Sequence, residues 1–152
     1  MAVFSGPEIV NNGLVLHLDA GNSRSYPGTG TAWIDLSGNA NNGTLSGGPV
    51  YSSSQSGSFL FDNTNDLVIR PTSAVFSFTA VARDFTVEQW INPTNLTGTF
   101  RAMSSVWGQV GGTDSWILCH GNGTLQFAWA PFSISAHFIQ GGTLTLNTWQ
   151  HI

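Results

Sequence analysis

The sequence contains no lysine and few charged residues of any kind. Charged residues make up 8% of the 152 residues, against roughly 25% in typical soluble domains. Four arginines balance eight acidic residues to a formal net charge of −4. Because nucleic-acid binding needs a cluster of Lys and Arg, the composition argues against it. A surface built from Ser, Thr, Asn, Gln and Gly suits a protein held in an assembly, or alternatively an extracellular β-sandwich.

Cysteine and long apolar runs are also scarce. Cys119 is the only cysteine, so no internal disulfide can form, and its place in an alternating segment predicts a small buried side chain. The first residues, MAVFSGPEIV, have no basic region followed by an apolar stretch. We therefore expect no ordinary signal peptide, no membrane-spanning segment and no membrane partner.

No segment has the periodicity of an amphipathic helix, whereas alternating segments recur between Gly, Asn and Ser turns. Leu14, Leu16 and Leu18 alternate with polar or smaller residues, and Asn122-Gly123 is a strong hairpin signal. The pattern predicts an all-β antiparallel sandwich or barrel over residues 13–152, preceded by an arm at 1–12. Strands are expected at Gly13–Asp19, Pro49–Tyr51, Ser58–Phe61, Leu67–Ile69, Asp84–Pro93, Met103–Gly108, Ser115–His120, Leu125–Ala130, Ala136–Gln140 and Thr143–Leu146.

Several motifs resemble one family. A leucine strand is followed by SYPGTGTAW at 25–33 and DLSGNANNGTL at 35–45, and DFTVEQWINP follows at 84–93. These segments are similar to laminin-G-like, concanavalin-A-like jelly-roll modules, including copies in the structural proteins of tailed phages and cyanophages. In that family the ending NTWQHI opens a strand that further strands follow. The resemblance thus implies a jelly roll without its last strands, whose open edge a partner or second copy covers; a fragmentary sequence is the alternative.

Catalytic patterns are missing from the sequence. A glycosidase needs two carboxyl groups facing each other across a sugar, yet only Glu88 lies in mid-strand beside an aromatic residue, Trp90. There is no G-x-S-x-G segment, no zinc-binding histidine spacing, and neighbouring Cys119 and His120 would point to opposite faces of a strand. We therefore predict that the protein is not an enzyme.

Two kinds of ligand remain open. Calcium prefers oxygen ligands on loops, and some relatives of laminin-G-like modules bind it at a sheet rim. The candidate ligands are Asp19, Asp35 and Asn39, with Asp62 and Asp66 as a second set. The same residues also stabilise turns without a metal. For glycans, which need exposed aromatic and polar groups, the candidates are Trp90, Glu88 and Trp129.

Composition and resemblance together lead to one functional hypothesis. We expect a non-enzymatic phage virion protein on the capsid exterior that decorates the shell and carries a lectin-like head. Its partners would be capsid or other virion proteins and host-surface glycans, and a fibre or host-attachment role is the close alternative. A carbohydrate-binding module of a secreted or cell-surface glycan-acting protein is the alternative from a different class.

Overall fold

The protein is built from β-strands. The structure, a computed structural model, describes residues 10–70, 74–76, 84–98, 101–106, 115–130 and 137–152. Within these ranges there are eleven strands and two single turns of 3₁₀ helix, and every strand pair is antiparallel. The predicted all-β antiparallel class is confirmed and is consistent with a β-sandwich. The jelly-roll connectivity stays a prediction.

The strands are numbered in chain order. They are β1 (Ala32–Trp33), β2 (Gly43–Ser46), β3 (Val50–Ser52), β4 (Ser58–Leu60), β5 (Leu67–Ile69), β6 (Trp90–Ile91), β7 (Arg101–Val106), β8 (Ser115–Gly121), β9 (Thr124–Ala130), β10 (His137–Thr143) and β11 (Gln150–His151). The 3₁₀ turns are Ser54–Ser56 and Ala74–Phe76. The chain divides into two compact units, Met1–Thr72 and Ser73–Ile152. The predicted arm at 1–12 lies largely outside the described residues, and Val10 is exposed.

The first unit contains a three-stranded sheet, ordered β1-β2-β5, and the β3–β4 hairpin. Its aromatic residues gather around Phe59, whose ring centroid lies 4.8 Å from that of Tyr26, 4.7 Å from Trp33 and 5.6 Å from Tyr51. Leu45 is buried in β2. Tilted and edge-on ring contacts of this kind stabilise small β cores.

The leucine segment at 13–19 differs from the prediction. It forms no strand, because polar groups of the following loop satisfy its backbone. The amide of His17 donates to Asp35, the carbonyl of His17 accepts from the amide of Leu36, and the amide of Asp19 donates to the Ser25 hydroxyl. The alternation correctly indicated an extended, half-buried segment but not its hydrogen-bond partners.

The second unit contains a four-stranded sheet, ordered β10-β9-β8-β7, and the β6–β11 pair. The predicted hairpin between β8 and β9 is confirmed: Asn122 has φ of 48° and Gly123 has φ of 84°, as a tight hairpin turn requires. Along β8, Trp116, Leu118 and His120 are buried, and Cys119 is fully buried as predicted. Of the segments 136–140 and 143–146, predicted as two strands, His137–Gln140 and Thr143 belong to the single strand β10, which has a register shift between Gln140 and Thr143. Residues 144–146 form no strand, and Ala136 lies outside the described residues.

The segment Asp84–Pro93, predicted as one long strand, pairs over only two residues in β6. The predicted alternation holds from Thr86 to Ile91, since Thr86, Glu88 and Trp90 are exposed whereas Val87, Gln89 and Ile91 are half-buried. Phe85, predicted on the same face as Val87, is exposed. Gln89, a polar residue on the half-buried side, accepts a hydrogen bond from Ser104 at 2.7 Å through its Oε1. Because β6 pairs over only two residues, the residues on either side of it lie outside the strand.

Candidate functional site

The site begins with the backbone pairing of β6 and β11. The amide of Gln89 donates to the carbonyl of Ile152 at 2.9 Å, and the amide of Ile152 donates to the carbonyl of Gln89 at 3.0 Å. Next to this pair, Trp90 lies opposite His151. Trp90 and His151 thus form a non-hydrogen-bonded antiparallel pair, whose side chains share one face and approach closely. This register brings together two residues that lie 61 positions apart in the sequence.

Strand alternation places further side chains on that face. Glu88 and Asn92 flank Trp90 along one strand, and Trp149 lies two residues before His151 on the other. All five are exposed, Trp90 at 66%. We call this set, Glu88, Trp90, Asn92, Trp149 and His151, the Trp90 face.

The three central side chains of the face are Glu88, Trp90 and His151, and His151 lies close to each of the other two. The ring centroids of Trp90 and His151 lie 5.2 Å apart, with 36° between the ring planes. The Nε2 atom of His151 lies 3.6 Å from Oε2 of Glu88. His151 therefore lies beside the indole and near the carboxylate, and the pair with Glu88 is ionic only when the imidazole is protonated.

The opposite side of this strand pair is anchored. Gln150 donates through Nε2 to the carbonyls of Thr145 at 2.9 Å and Thr148 at 3.2 Å, and its Oε1 accepts from the amide of Thr145 at 3.1 Å. Gln89 is bound to Ser104 as described above. These inward-facing residues hold the backbone in place. The backbone that carries the outward side chains of the Trp90 face therefore has a fixed position.

A depression of about 410 Å³ lies beside β11 in the second unit. It shares His151 with the face. The remaining lining residues are Leu125, Gly142, Thr143, Leu144, Gln150 and Ile152. Its volume falls within the range of small-molecule sites, and its walls mix apolar side chains with hydroxyl and backbone groups.

The arrangement suits recognition of a polar ligand that also has an apolar face. An exposed indole offers a flat π surface with positive edges, a carboxylate accepts hydrogen bonds, and imidazole and amide groups both donate and accept. A sugar ring meets these requirements through its C–H face and its hydroxyl groups. The third predicted contact, Trp129, lies in β9 opposite Trp116, but its side chain lies outside the described residues.

Asp35, a predicted calcium ligand, holds the loop of the first unit together. Its Oδ1 accepts hydrogen bonds from the amides of His17 and Ser37, each at 2.9 Å. Its Oδ2 accepts from the Ser37 hydroxyl at 2.7 Å and the Asn41 amide at 3.0 Å. A carboxylate accepts about four hydrogen bonds, and Asp35 accepts four, so its carboxylate serves the loop; calcium binding there stays a prediction.

The electrostatics of Asp35 agree with this structural role. Burial raises the pKa of its carboxyl group, but the hydrogen bonds from His17, Ser37 and Asn41 outweigh that effect and hold the pKa below its ordinary 3.8. Asn39, predicted beside it, donates through Nδ2 to the Leu14 carbonyl at 2.8 Å. The DLSGNANNG segment is thus a polar clamp that binds the backbone of the leucine segment.

The other three calcium candidates close local turns. Asp19 accepts from the Gly21 amide at 2.8 Å, and Asp62 accepts from the Thr64 amide at 2.8 Å. Asp66 accepts from the amide of Asp62, also at 2.8 Å. These bonds explain why Asp occurs at these positions. Among the described residues, no three His, Cys, Asp or Glu side chains form a group that could hold a metal ion.

His120 is a buried titratable residue that belongs to the sheet and not to the Trp90 face. Its side chain is 5% exposed, and its Nδ1 atom has no hydrogen-bond partner among the residues that the structure describes. Burial, and next the charge of Arg101, lower the pKa of this imidazole. Cys119 points to the other side of β8, where its Sγ lies 3.9 Å from Oε1 of Gln126. The two side chains therefore form no catalytic pair, as predicted.

Sequence reasoning identified two of the three central residues of the Trp90 face as ligand candidates and missed the third. Glu88 and Trp90 were predicted from their spacing of two in one strand. His151 is not among the predicted ligand contacts, because only the β6–β11 register shows that it lies opposite Trp90. One signal was available in the sequence: Trp149 and His151 are two residues apart in a second strand-like segment, so they share one face of it.

Comparison with known proteins gives no match. No family model matches the chain, and neither a curated protein nor a solved structure is similar to it. No helix in the part of the chain that the structure describes is long and apolar enough to cross a membrane.

Proposed function

We propose that the protein is a non-enzymatic virion surface protein that binds glycans through the Trp90 face. The observation that carries the proposal is the 66% exposure of Trp90 beside His151 and Glu88. Exposing a large aromatic ring forgoes the roughly 1.5–3 kcal/mol that burial of such a side chain contributes. An exposed ring flanked by hydrogen-bonding groups is the arrangement expected where the side chain contacts a ligand.

The spacing of the carboxyl groups supports binding over hydrolysis. Asp84 is the nearest acidic residue that shares the alternation of Glu88. In extended chain the two Cα atoms would be about 13 Å apart, at about 3.3 Å per residue. Glycosidase carboxyl pairs are separated by roughly 5–10 Å. Glu88 therefore lacks a second acid on its own strand and serves as a hydrogen-bond acceptor for a bound sugar.

The virion assignment is supported by composition and by the motif resemblance. A surface with 8% charged residues and no lysine is weakly self-repelling, which favours a protein fixed in a shell over one free at high concentration. The motifs at 25–45 and 84–93 are similar to modules of tailed-phage structural proteins. We therefore propose the capsid exterior as the location, decoration of the shell as the role, and virion proteins as partners.

Two experiments test this function. Antibody against the chain should detect it in purified intact particles, and an averaged particle map should show its density outside the shell; recovery solely from the host cytosol would contradict the virion role. For glycan binding, purified protein is applied to a glycan array with the Trp90→Ala variant. Phe61→Ala, at an exposed aromatic residue of the first unit, is the matched control. Binding should be lost in Trp90→Ala and kept in Phe61→Ala.

The alternative is a carbohydrate-binding module attached to a glycan-acting protein. The same Trp90 face favours it, because sugar stacking is common to both functions. The two differ in context: a module of this kind would be found beside a catalytic domain in its gene and would be absent from particles. Array binding together with absence from particles would therefore favour the module.

A further inference from the structure

We propose that Asn12 is a site of spontaneous modification, where the side chain deamidates to aspartate and isoaspartate, and that the fold protects the other asparagines of the same sequence type. The chain has three Asn-Gly pairs: Asn12-Gly13, Asn42-Gly43 and Asn122-Gly123. Glycine after asparagine favours deamidation, because glycine has no side chain to hinder its own amide nitrogen. The three pairs share this chemistry and differ in their surroundings. The inference is independent of glycan binding.

The reaction consumes water and needs no other reactant. The amide nitrogen of Gly13 attacks Cγ of Asn12, the Cγ–Nδ2 bond breaks, and ammonia leaves with the proton of the attacking amide. Water then opens the resulting succinimide ring at one of its two carbonyl carbons. Attack at Cγ restores the main-chain peptide bond and gives aspartate. Attack at the main-chain carbonyl carbon gives isoaspartate, in which the chain continues through the side chain. Either product adds a negative charge.

Asn12 has the exposure and the freedom that ring closure requires. Asn11, Asn12 and Gly13 are all exposed, and they lie in a turn in which the amide of Leu14 donates to the carbonyl of Asn11 at 3.2 Å. Within the part of the chain that the structure describes, the side chain of Asn12 has no hydrogen-bond partner. A Cβ added at Gly13 would meet nothing within 4 Å. The Asn12 side chain and the Gly13 amide can therefore rotate towards each other.

Asn42 has the same sequence neighbours as Asn12, an asparagine before it and a glycine after it, but not the same freedom. Its Oδ1 accepts a hydrogen bond from the amide of Asp35 at 2.9 Å. Gly43 is buried in β2 and pairs with Trp33. A Cβ added at Gly43 would lie only 2.8 Å from Cγ1 of Val68. Ring closure at Asn42 would therefore require both the side-chain hydrogen bond and the strand pairing to break.

Asn122 is held on both sides of the bond that would have to rotate. Its Oδ1 accepts from the amide of Gly98 at 3.1 Å, and its own amide donates to the carbonyl of Gly98 at 2.9 Å. Gly123 is buried, and its carbonyl accepts from the amide of Leu144 at 2.7 Å. A Cβ added at Gly123 would contact the side chain of Leu96 at 3.5 Å. We therefore expect Asn12 to react faster than both Asn42 and Asn122.

The test is peptide mapping by mass spectrometry after the full chain has been kept for several weeks at physiological temperature in water enriched in oxygen-18. Trypsin cleavage after Arg24, Arg83 and Arg101 places the three Asn-Gly pairs on different peptides. The heavy oxygen marks only the asparagines that react during the incubation. We expect conversion at Asn12 to be at least tenfold faster than at the other two pairs. In denaturant, where the fold no longer protects them, the three rates should become similar.

Two variants form a matched pair for this test. Asn12→Gln replaces the reacting side chain with a longer one that closes a ring far more slowly, and Asn11→Gln makes the same change one residue earlier. The wild type and Asn11→Gln should gain a more acidic form on ion-exchange chromatography, and Asn12→Gln should not. Equal rates at the three pairs in the folded protein, an excess at Asn12 that persists in denaturant, or an equal acidic form in Asn12→Gln would overturn the proposal. Thermal unfolding checks that both variants are folded, and the wild-type peptide map decides if either is not.

Discussion

Trp90 and His151 face each other across the β6–β11 pair, with ring centroids 5.2 Å apart and both side chains exposed. Both rings are exposed and contact each other, so each ring limits the rotation of the other. The indole is therefore presented in a limited set of orientations, and a ligand that stacks on it loses less conformational freedom on binding. His151 is in this sense a positioning residue for Trp90.

Removing the ring of His151 should weaken glycan binding without unfolding the protein. We expect His151→Ala to lower the affinity severalfold, because Trp90 loses its neighbour, and to change the free energy of unfolding by less than about 0.5 kcal/mol, as for most exposed residues. His151→Phe, which keeps a ring and removes the imidazole, should retain most of the affinity. Titration and denaturant unfolding measure both quantities. Equal affinity in all three proteins would show that the ring contact has no role.

Glu88→Gln should change which ligands the protein prefers. It should not change the stability of the protein, and neither the variant nor the wild type should hydrolyse glycans. The pair with His151 is exposed, and surface pairs contribute only about 0–1 kcal/mol. We expect the unfolding midpoint to stay unchanged. A reducing-sugar assay on the glycans that bind should detect no hydrolysis by the wild type. Hydrolysis by the wild type that Glu88→Gln abolishes would contradict the non-enzymatic function.

Asp35→Asn should destabilise the first unit. The variant places an NH₂ group where donors from His17, Ser37 and Asn41 now converge, and loss of hydrogen bonds to a buried charged acceptor costs about 3 kcal/mol. Denaturant unfolding measures the change. Asp62→Asn, at an exposed turn carboxylate, is the control and should have a much smaller effect; equal effects would show that the polar clamp is not a stabilising element.

The same residue predicts an acid dependence. The folded pKa of Asp35 is lowered, so its stabilising effect is complete above the unfolded value near 3.8 and is lost as pH falls through the folded pKa. Unfolding midpoints measured from pH 5 to pH 2 should fall more steeply in the wild type than in Asp35→Asn. Parallel curves would contradict the assignment of the lowered pKa to this carboxylate.

His120 predicts a second pH effect at higher pH. Its folded pKa lies below the ordinary 6.5, first because of burial and second because of Arg101. As pH falls below about 6.5, the unfolded chain takes up a proton before the folded one does, so stability present above that pH is lost. The unfolding free energy should decrease between pH 7 and pH 5, and His120→Gln should flatten that decrease. An identical decrease in the variant would show that other groups cause it.

Most of the fold was predictable because side-chain alternation and turn residues act locally. Leu67–Ile69 and the Asn122-Gly123 hairpin were predicted with correct bounds. One failure occurred where side chains replace a neighbouring strand as the hydrogen-bond partner. The leucine segment at 13–19 alternates like a strand, but Asp35, Ser37, Asn39 and Asn41 satisfy its backbone. Alternation reports burial of one face and does not report what the backbone pairs with.

The candidate site was predictable only in part, because register across distant segments is a tertiary property. The spacing of Glu88 and Trp90 in one strand is visible in the sequence, whereas the partnership of Trp90 with His151 depends on the β6–β11 pairing. The calcium hypothesis at Asp35 stays a prediction. The residues that ligate a cation are the same ones that close polar turns, and only the geometry shows that four donors already occupy the carboxylate.

The most direct test of the account is a saturation-transfer and intermolecular NOE experiment on the protein with the oligosaccharide that binds best. The account predicts contacts between the ring protons of Trp90 and the C–H protons of one sugar unit, and loss of those contacts in Trp90→Ala with the fold retained. Sugar contacts confined to other residues, or no sugar contact in the wild type, would contradict it.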